Sequence, residues 1–184
     1  EDESTLEEIG EYSFANTRIK KVRFPDSVKV IHKSAFFNNL NLKEVIFKGE
    51  TIEDEAFAQT GITLFRLSNN VKTIGSGAFR DCHSLLSFTI DIDNSKLSEI
   101  GSYAFSETSI KLFNIPQNVK VIQPFTFSGC KKLRNVNISA KSKLEIIDKY
   151  SFTGNLSLLY INICEMAILK NDENIVISWN ITKL

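Results

Sequence analysis

Apolar residues recur along this chain in a fixed order. An Ile is followed five residues later by a Phe: Ile9/Phe14, Ile31/Phe36, Ile52/Phe57, Ile74/Phe79, Ile100/Phe105, Ile122/Phe127 and Ile147/Phe152. The residue before the Phe is always small: Ser13, Ala35, Ala56, Ala78, Ala104, Thr126 and Ser151. Three residues beyond the Phe stand Thr17, Asn39, Thr60, Cys82, Thr108, Cys130 and Asn155. An aliphatic residue then opens a short alternating run: Ile19, Leu42, Ile62, Leu85, Ile110, Leu133 and Leu158. Its apolar partners are Val22/Phe24, Val45/Phe47, Phe65/Leu67, Phe88/Ile90, Phe113/Ile115, Val136/Ile138 and Ile161/Ile163. Alternation with period two predicts a half-buried strand in each unit. Pro25, Gly49, Asn69-Asn70, Asn94-Ser95 and Pro116 mark the turn that follows. Val28, Val71, Leu97, Val119 and Leu144 then lead back, each three residues before the next Ile.

The Phe-to-Phe step stays between 21 and 26 residues, within the range of short solenoid repeats. The units also alternate in kind. After Phe14, Phe57 and Phe105 the loop is short, of the form Thr-x-Ile; after Phe36, Phe79, Phe127 and Phe152 it is one residue longer, Asn/Cys-x-x-Leu. The alternation breaks only at the seventh unit. No unit can bury its own Phe and strand residues, so neighbours must stack like on like. At about 4.8 Å per parallel strand, seven coils make a rod roughly 30–35 Å long. Burying each Phe contributes about 2–3 kcal/mol before chain entropy is counted. The Thr/Asn/Cys position falls where the chain turns into the strand, and its polar side chain is expected to satisfy turn amides. One short turn of helix is expected around each Phe.

Composition narrows the class without choosing an activity. The chain has 184 residues, 42% hydrophobic, with 22 basic and 22 acidic side chains. A zero charge balance gives no electrostatic argument for nucleic acid or an anionic membrane. No apolar run approaches the roughly 18–20 residues of a membrane span. The opening Glu1-Asp2-Glu3-Ser4 has neither an initiator Met nor an apolar leader, so the sequence reads as an excised piece. Leu6 begins in mid-coil, which points to further repeats upstream.

The pattern Ile-Gly-x-x-Ala-Phe-x-x-Cys-x-x-Leu-x-x-Val-x-Ile-Pro resembles the BspA-type leucine-rich repeats. Ile74 to Ile90 carries most of it, and Ile100 to Pro116 carries its Thr variant. The resemblance spans residues 6–163. It implies an α/β right-handed leucine-rich-repeat solenoid, with a parallel β-sheet on one face and short helical turns or irregular segments on the other. Seven repeats would occupy residues 1–163. Residues 164–184, where Ile175, Ile177 and Trp179 alternate, would form a C-terminal cap or degenerate eighth coil. The resemblance further implies a non-enzymatic protein-binding module of a cell-surface or secreted adhesion protein. Its partners would be extracellular-matrix or host cell-surface proteins. The alternative is an intracellular leucine-rich-repeat scaffold or adaptor. No catalytic, cofactor or metal motif belongs to the repeat.

The outward strand positions form the candidate partner-binding face. They are Lys21, Arg23, Glu44, Ile46, Leu64, Arg66, Ser87, Thr89, Leu112, Asn114, Asn135, Asn137, Tyr160 and Asn162, expected to line a concave surface. Cys82, Cys130 and Cys164 are odd in number and lack CxxC spacing, so free buried thiols are expected rather than a zinc or redox site. Asp81-Cys82-His83 lacks the orienting third group of a nucleophile constellation. Glu1 to Glu8 reads as a solvated end. Sequons at Asn137, Asn155 and Asn180 match chance frequency, and Asn155 holds a ladder position that should be buried.

Overall fold

A computed structural model describes residues 5–162. Cys164, Asn180 and the expected cap lie outside the described residues. Thirteen strands, β1–β13 in chain order, fall into two series. The short series begins each unit at its Ile: β1 (Glu8–Ile9), β2 (Val30–Ile31), β4 (Thr51–Ile52), β6 (Thr73–Ile74), β8 (Glu99–Ile100), β10 (Val121–Ile122) and β12 (Ile146–Ile147). The longer series follows the Phe: β3 (Glu44–Phe47), β5 (Leu64–Leu67), β7 (Ser87–Thr89), β9 (Leu112–Ile115), β11 (Asn135–Ile138) and β13 (Tyr160–Asn162). Every pairing is parallel, between equivalent residues of successive units. The chain is therefore a stack of coils, numbered here 1 to 7 by their Phe residues.

The Phe rungs stack along the axis. Phe14, Phe36, Phe57, Phe79, Phe105, Phe127 and Phe152 form one column, with ring centroids 5.2–5.6 Å apart and planes within 11°. Phe65, Phe88 and Phe113, inward from the longer strands, meet this column mostly edge-on at 4.7–5.3 Å. Offset-stacked and edge-to-face arrangements are the favoured aromatic geometries. The core is thus an aromatic ladder flanked by aliphatic ladders such as Ile31-Ile52-Ile74-Ile100.

The expected helical turns are absent among the described residues, and the backbone shows why. All fourteen residues with positive φ lie two positions before or after a rung Phe, among them Tyr12, Asn16, Glu55, Gln59 and Gly77. A left-handed residue ends a right-handed helix. Here it turns its N–H along the axis. Glu55, Phe57 and Gln59 donate to the Ser76, Ala78 and Arg80 carbonyls of the next coil, while Ala56 and Ala58 close tight turns onto Glu53 and Glu55. The Phe segment is therefore a third hydrogen-bonded wall, bonded between coils at every second residue.

Two departures concern the strands. The run from Ile19 to Phe24 is not a strand, so the sheet of longer strands begins at β3. Both series also break, the longer between coils 4 and 5 to give β3-β5-β7 and β9-β11-β13 on one face, and the shorter between coils 5 and 6 to give β1-β2-β4-β6-β8 and β10-β12 on the other. The break in the longer series coincides with the longest step, 26 residues from Phe79 to Phe105. The extra residues form a loop organised by the Asp91 carboxylate, which accepts from the Asp93 and Asn94 amides at 3.1 Å. Those bonds, first among them the one from the Asn94 side chain, hold Asp91 below the usual carboxylate range. The loop reaches forward, and Ser139 of coil 6 donates to Asp93 at 3.1 Å.

Candidate partner-binding face

Alternation along the longer strands sets the face. Val45, Phe47, Phe65, Leu67, Phe88, Phe113, Ile115, Val136 and Ile138 are buried, so the residues between them turn outward. Across β3-β5-β7 the outward rows read Glu44-Leu64-Ser87 and Ile46-Arg66-Thr89. Across β9-β11-β13 they read Leu112-Asn135-Tyr160 and Asn114-Asn137, with Asn162 in backbone register beside Asn137. Twelve of the fourteen sequence-derived residues thus fall into four registered rows. Lys21 and Arg23 are exposed but stand outside the sheet.

The two halves differ in chemistry. In the first, Arg66 lies 3.8 Å from Glu44. In the second, Asn137 donates to Asn114 at 2.9 Å. Three large apolar side chains sit on this outer surface: Ile46 at 49% exposure, Leu112 at 43% and Tyr160 at 64%.

Much of the remaining charge joins neighbouring coils. Lys29–Glu7, Lys48–Asp26, Lys72–Glu50 and Lys120–Glu145 each link one coil to the next. The hydrogen bond from Lys72 holds the Glu50 carboxyl below its ordinary range. Such exposed pairs contribute little stability each and act mainly on register. Glu8 is more than a solvated end. His32 places Nε2 3.0 Å from Glu8 and Nδ1 3.1 Å from Glu53. When protonated the ring can donate from both nitrogens, and the Glu8 hydrogen bond foremost raises the His32 pKa, with desolvation the second-largest influence and opposed to it. The two carboxylates meet opposite ring nitrogens and do not converge on a point. Among the described residues no His/Cys/Asp/Glu group has metal-binding geometry, and no helix is long and apolar enough to cross a membrane.

The Thr/Asn/Cys column corrects the expected role of that position. Its side chains serve carbonyls, not amides. Asn39 donates to the Phe14 and Phe36 carbonyls at 2.7 and 2.9 Å, while Cys82 and Cys130 donate to Phe57 and Phe105 at 3.0 Å. Each of these long-loop residues also meets the short-loop Thr of the preceding coil: Thr17–Asn39, Thr60–Cys82 and Thr108–Cys130. Cys82 and Cys130 are free and buried. Burial, the largest influence on each, pushes both thiols up to about 11. The Asp81-Cys82-His83 run therefore presents no thiolate to solvent. Asn155 follows another long-loop coil and meets no such Thr; its amide is buried as expected, but unpaired.

Sequence reasoning missed one exposed feature. Tyr103, Phe125 and Tyr150 occupy the left-handed position before Phe in successive coils and stack at 4.8 and 5.2 Å. The signal was available as three aromatics in one register.

The registered coils agree with a family comparison. The model of the BspA type leucine-rich repeat region matches residues 2–85 and 50–174, with six copies. The chain belongs to this BspA-type repeat family. Two solved structures share its fold. One is a leucine-rich repeat protein from Bacteroides ovatus, 23% identical with a TM-score of 0.56, the match covering 76% of this chain and 42% of that one. The other is a leucine rich cell surface protein from Faecalibacterium prausnitzii, 16% identical with a TM-score of 0.58, covering 89% of this chain and 59% of that one. This BspA-type chain thus spans about half the length of the solved proteins it matches. No curated protein matches it.

Proposed function

We propose that this chain is a non-enzymatic protein-binding module, the repeat region of a cell-surface or secreted adhesion protein. The observation that carries the reading is the registered outer surface of the longer strands, with Ile46, Leu112 and Tyr160 exposed among polar neighbours. Stacked repeats create long preformed surfaces, and Tyr and Arg are frequent anchors where proteins meet. A partner of the matrix or host-surface class would lie along these rows, using Arg66 in the first half and Leu112 and Tyr160 in the second. The resemblance to a cell-surface protein of the same fold supports the surface location.

The test is binding of the chain to immobilised fibrillar matrix proteins, by surface plasmon resonance, with Arg66→Ala, Leu112→Ala and Tyr160→Ala. Each substitution is expected to weaken binding at least fivefold without changing the circular dichroism spectrum. Binding that survives all three together would remove this face from the proposal.

A further inference from the structure

Charge is unevenly placed around the coil, although 22 basic and 22 acidic side chains balance over the whole chain. Cations gather at the corner where a coil leaves the Phe wall and enters its longer strand. In coils 1 and 2 this corner carries Arg18, Lys20, Lys21 and Lys43. In coils 5 and 6 it carries Lys111, Lys131, Lys132 and Arg134. Every one of these side chains is exposed. Acids gather instead between the short strands and the Phe, as at Glu8 and Glu11 in coil 1 and Glu53-Asp54-Glu55 in coil 3.

Core packing turns the cations outward together. Ile19 and Val22 lean on the core, which leaves Lys20 and Lys21 to solvent. Leu42, Ile110 and Leu133 are fully buried, and Lys43, Lys111 and Arg134 each follow one of them. Backbone bonds fix the alignment. The Thr63 N–H donates to the Lys43 carbonyl and the Leu86 N–H to Thr63, while the Arg134 N–H donates to Lys111. Lys111 and Arg134 are therefore neighbours one coil apart.

Few acids face this corner. Glu44 is the one acidic residue within it among the described residues, and it lies 3.8 Å from Arg66. On the adjoining Phe wall Asp81 meets Arg80 at 3.7 Å and Glu107 meets Lys131 at 3.9 Å. Lys43 turns its ammonium to the Leu40 and Gly61 carbonyls at 3.4 Å, which leaves its charge unopposed. No ion pair or side-chain hydrogen bond engages Arg18, Lys20, Lys21, Lys111, Lys132 or Arg134. By contrast, Lys29, Lys72 and Lys120 at the turn before the short strands each bridge to a glutamate of an adjacent coil.

The two clusters lie four coil steps apart, about 19 Å at the parallel-strand spacing. Between them the corner presents Gly61, Thr63, Ser84 and Leu86, with no acidic residue and no Phe, Tyr or Trp. We propose that this corner binds a sulfated polysaccharide laid along the rod, with sulfates on both clusters. Lysines and arginines hold anionic oxygens through charge-assisted hydrogen bonds, and neutralising a dense linear polyanion releases its condensed counterions. Cations on backbones about 4.8 Å apart call for more than one anionic group per sugar, which sulfation supplies and a uronic carboxylate alone does not. Single-stranded nucleic acid fits less well, because its bases stack on aromatic side chains interleaved with the cations. The inference goes beyond the protein-binding reading.

The experiment titrates the chain with heparin by isothermal titration calorimetry over a range of NaCl concentrations. Desulfated heparin that keeps its carboxylates, oligodeoxythymidylate and phosphatidylserine vesicles are run beside it. Heparin affinity is expected to fall linearly on a log–log salt plot, and desulfated heparin to bind at least tenfold more weakly. Lys111→Gln, Lys132→Gln and Arg134→Gln combined should weaken heparin binding at least tenfold and flatten the salt slope. Lys29→Gln, Lys72→Gln and Lys120→Gln combined remove the same charge and should weaken it less than threefold. Circular dichroism checks that both variants fold. Equal losses from the two variants, equal binding of desulfated heparin, tighter binding of the oligonucleotide or the vesicles, or no saturable heat would overturn the assignment. Leu112→Ala and Tyr160→Ala leave every cation of the corner in place and should hold heparin binding within twofold, so this reading and the protein-binding one fail separately.

Discussion

Truncating Phe79 to Ala tests the stacking geometry most directly. Phe79 is fully buried and lies between Phe57 at 5.6 Å and Phe105 at 5.3 Å. Two further rings, Phe65 at 4.8 Å and Phe88 at 5.3 Å, meet it edge-on. Losing its apolar surface costs about 2–3 kcal/mol. Four aromatic neighbours and the cavity left behind bring the total to about 4–5 kcal/mol, the upper part of the range for buried Phe. Phe14 occupies the same register with one stacking partner and 38% exposure. Roughly three-fifths of the burial value and one ring contact give about 2 kcal/mol for Phe14→Ala. Urea unfolding followed by circular dichroism reads both variants. Phe79→Ala is also expected to broaden the transition, because a central lesion in a linear array uncouples the coils on either side. Equal costs for the two variants, or a Phe79→Ala cost below about 1.5 kcal/mol, would refute the continuous ladder.

Three smaller perturbations address the features around the ladder. Asn155→Cys places in coil 7 the residue that coils 4 and 6 use at that rung, removing a buried unpaired amide; a gain of about 1–2 kcal/mol in urea unfolding is expected. The His32 pKa is raised by Glu8 first and by Glu53, so the protonated clamp contributes fully below the ordinary value of about 6.5 and is lost as pH climbs through the raised value. Exposure limits it to a few tenths of a kcal/mol up to about 1, and the stability gap between wild type and His32→Gln should be present at pH 5.5 and close by pH 8.5. Gly77 has φ of +59° and room for a methyl, the nearest atom being Glu55 Cγ at 3.5 Å; Gly77→Ala should cost about 1–2 kcal/mol from backbone strain alone, read as a lowered melting temperature.

The coil order, the Phe column and the inward strand residues were legible because each repeats seven times and each follows from burial. The walls around them were not. A short segment with an Ala before its Phe looks helical by composition, yet Asn16, Asn38, Asp81, Gly129 and Gly154 all stand two residues after a rung. Those residue types tolerate a left-handed backbone, so the column itself held the correction. Bulky Tyr103, Phe125 and Tyr150 hid the matching position before Phe, since stacking there offsets an unfavourable φ. The missing first strand at Ile19–Phe24 could not be anticipated, because its apolar alternation matches that of the strands that form. On the outer face of the longer strands, period two gave the outward set, but not the Asn114–Asn137 bond or the break between β7 and β9. Both depend on how neighbouring coils register, which one unit's sequence does not contain.

Loop alternation ties the core to the surface. A short-loop coil contributes a Thr, and the long-loop coil after it contributes an Asn or Cys that meets this Thr and reaches back to the preceding Phe carbonyl. The structural unit is therefore a pair of coils, and one added residue per pair both completes a buried hydrogen-bond relay and lifts a loop out of the rod. Between two lifted loops the short loop becomes a floor, so the same residue count that satisfies the interior leaves an open notch outside, as where Leu40, Gly61 and His83 line one surface depression. Coils 6 and 7 break the rule with two long loops in succession. The interior consequence is the unpaired amide of Asn155, and the exterior one is that no short-loop floor separates those loops. If pairing governs both, shortening the coil 7 loop to a Thr-x-Ile form should remove the buried orphan and deepen the surface there in the same step. A variant that did one without the other would show that interior and surface are set independently.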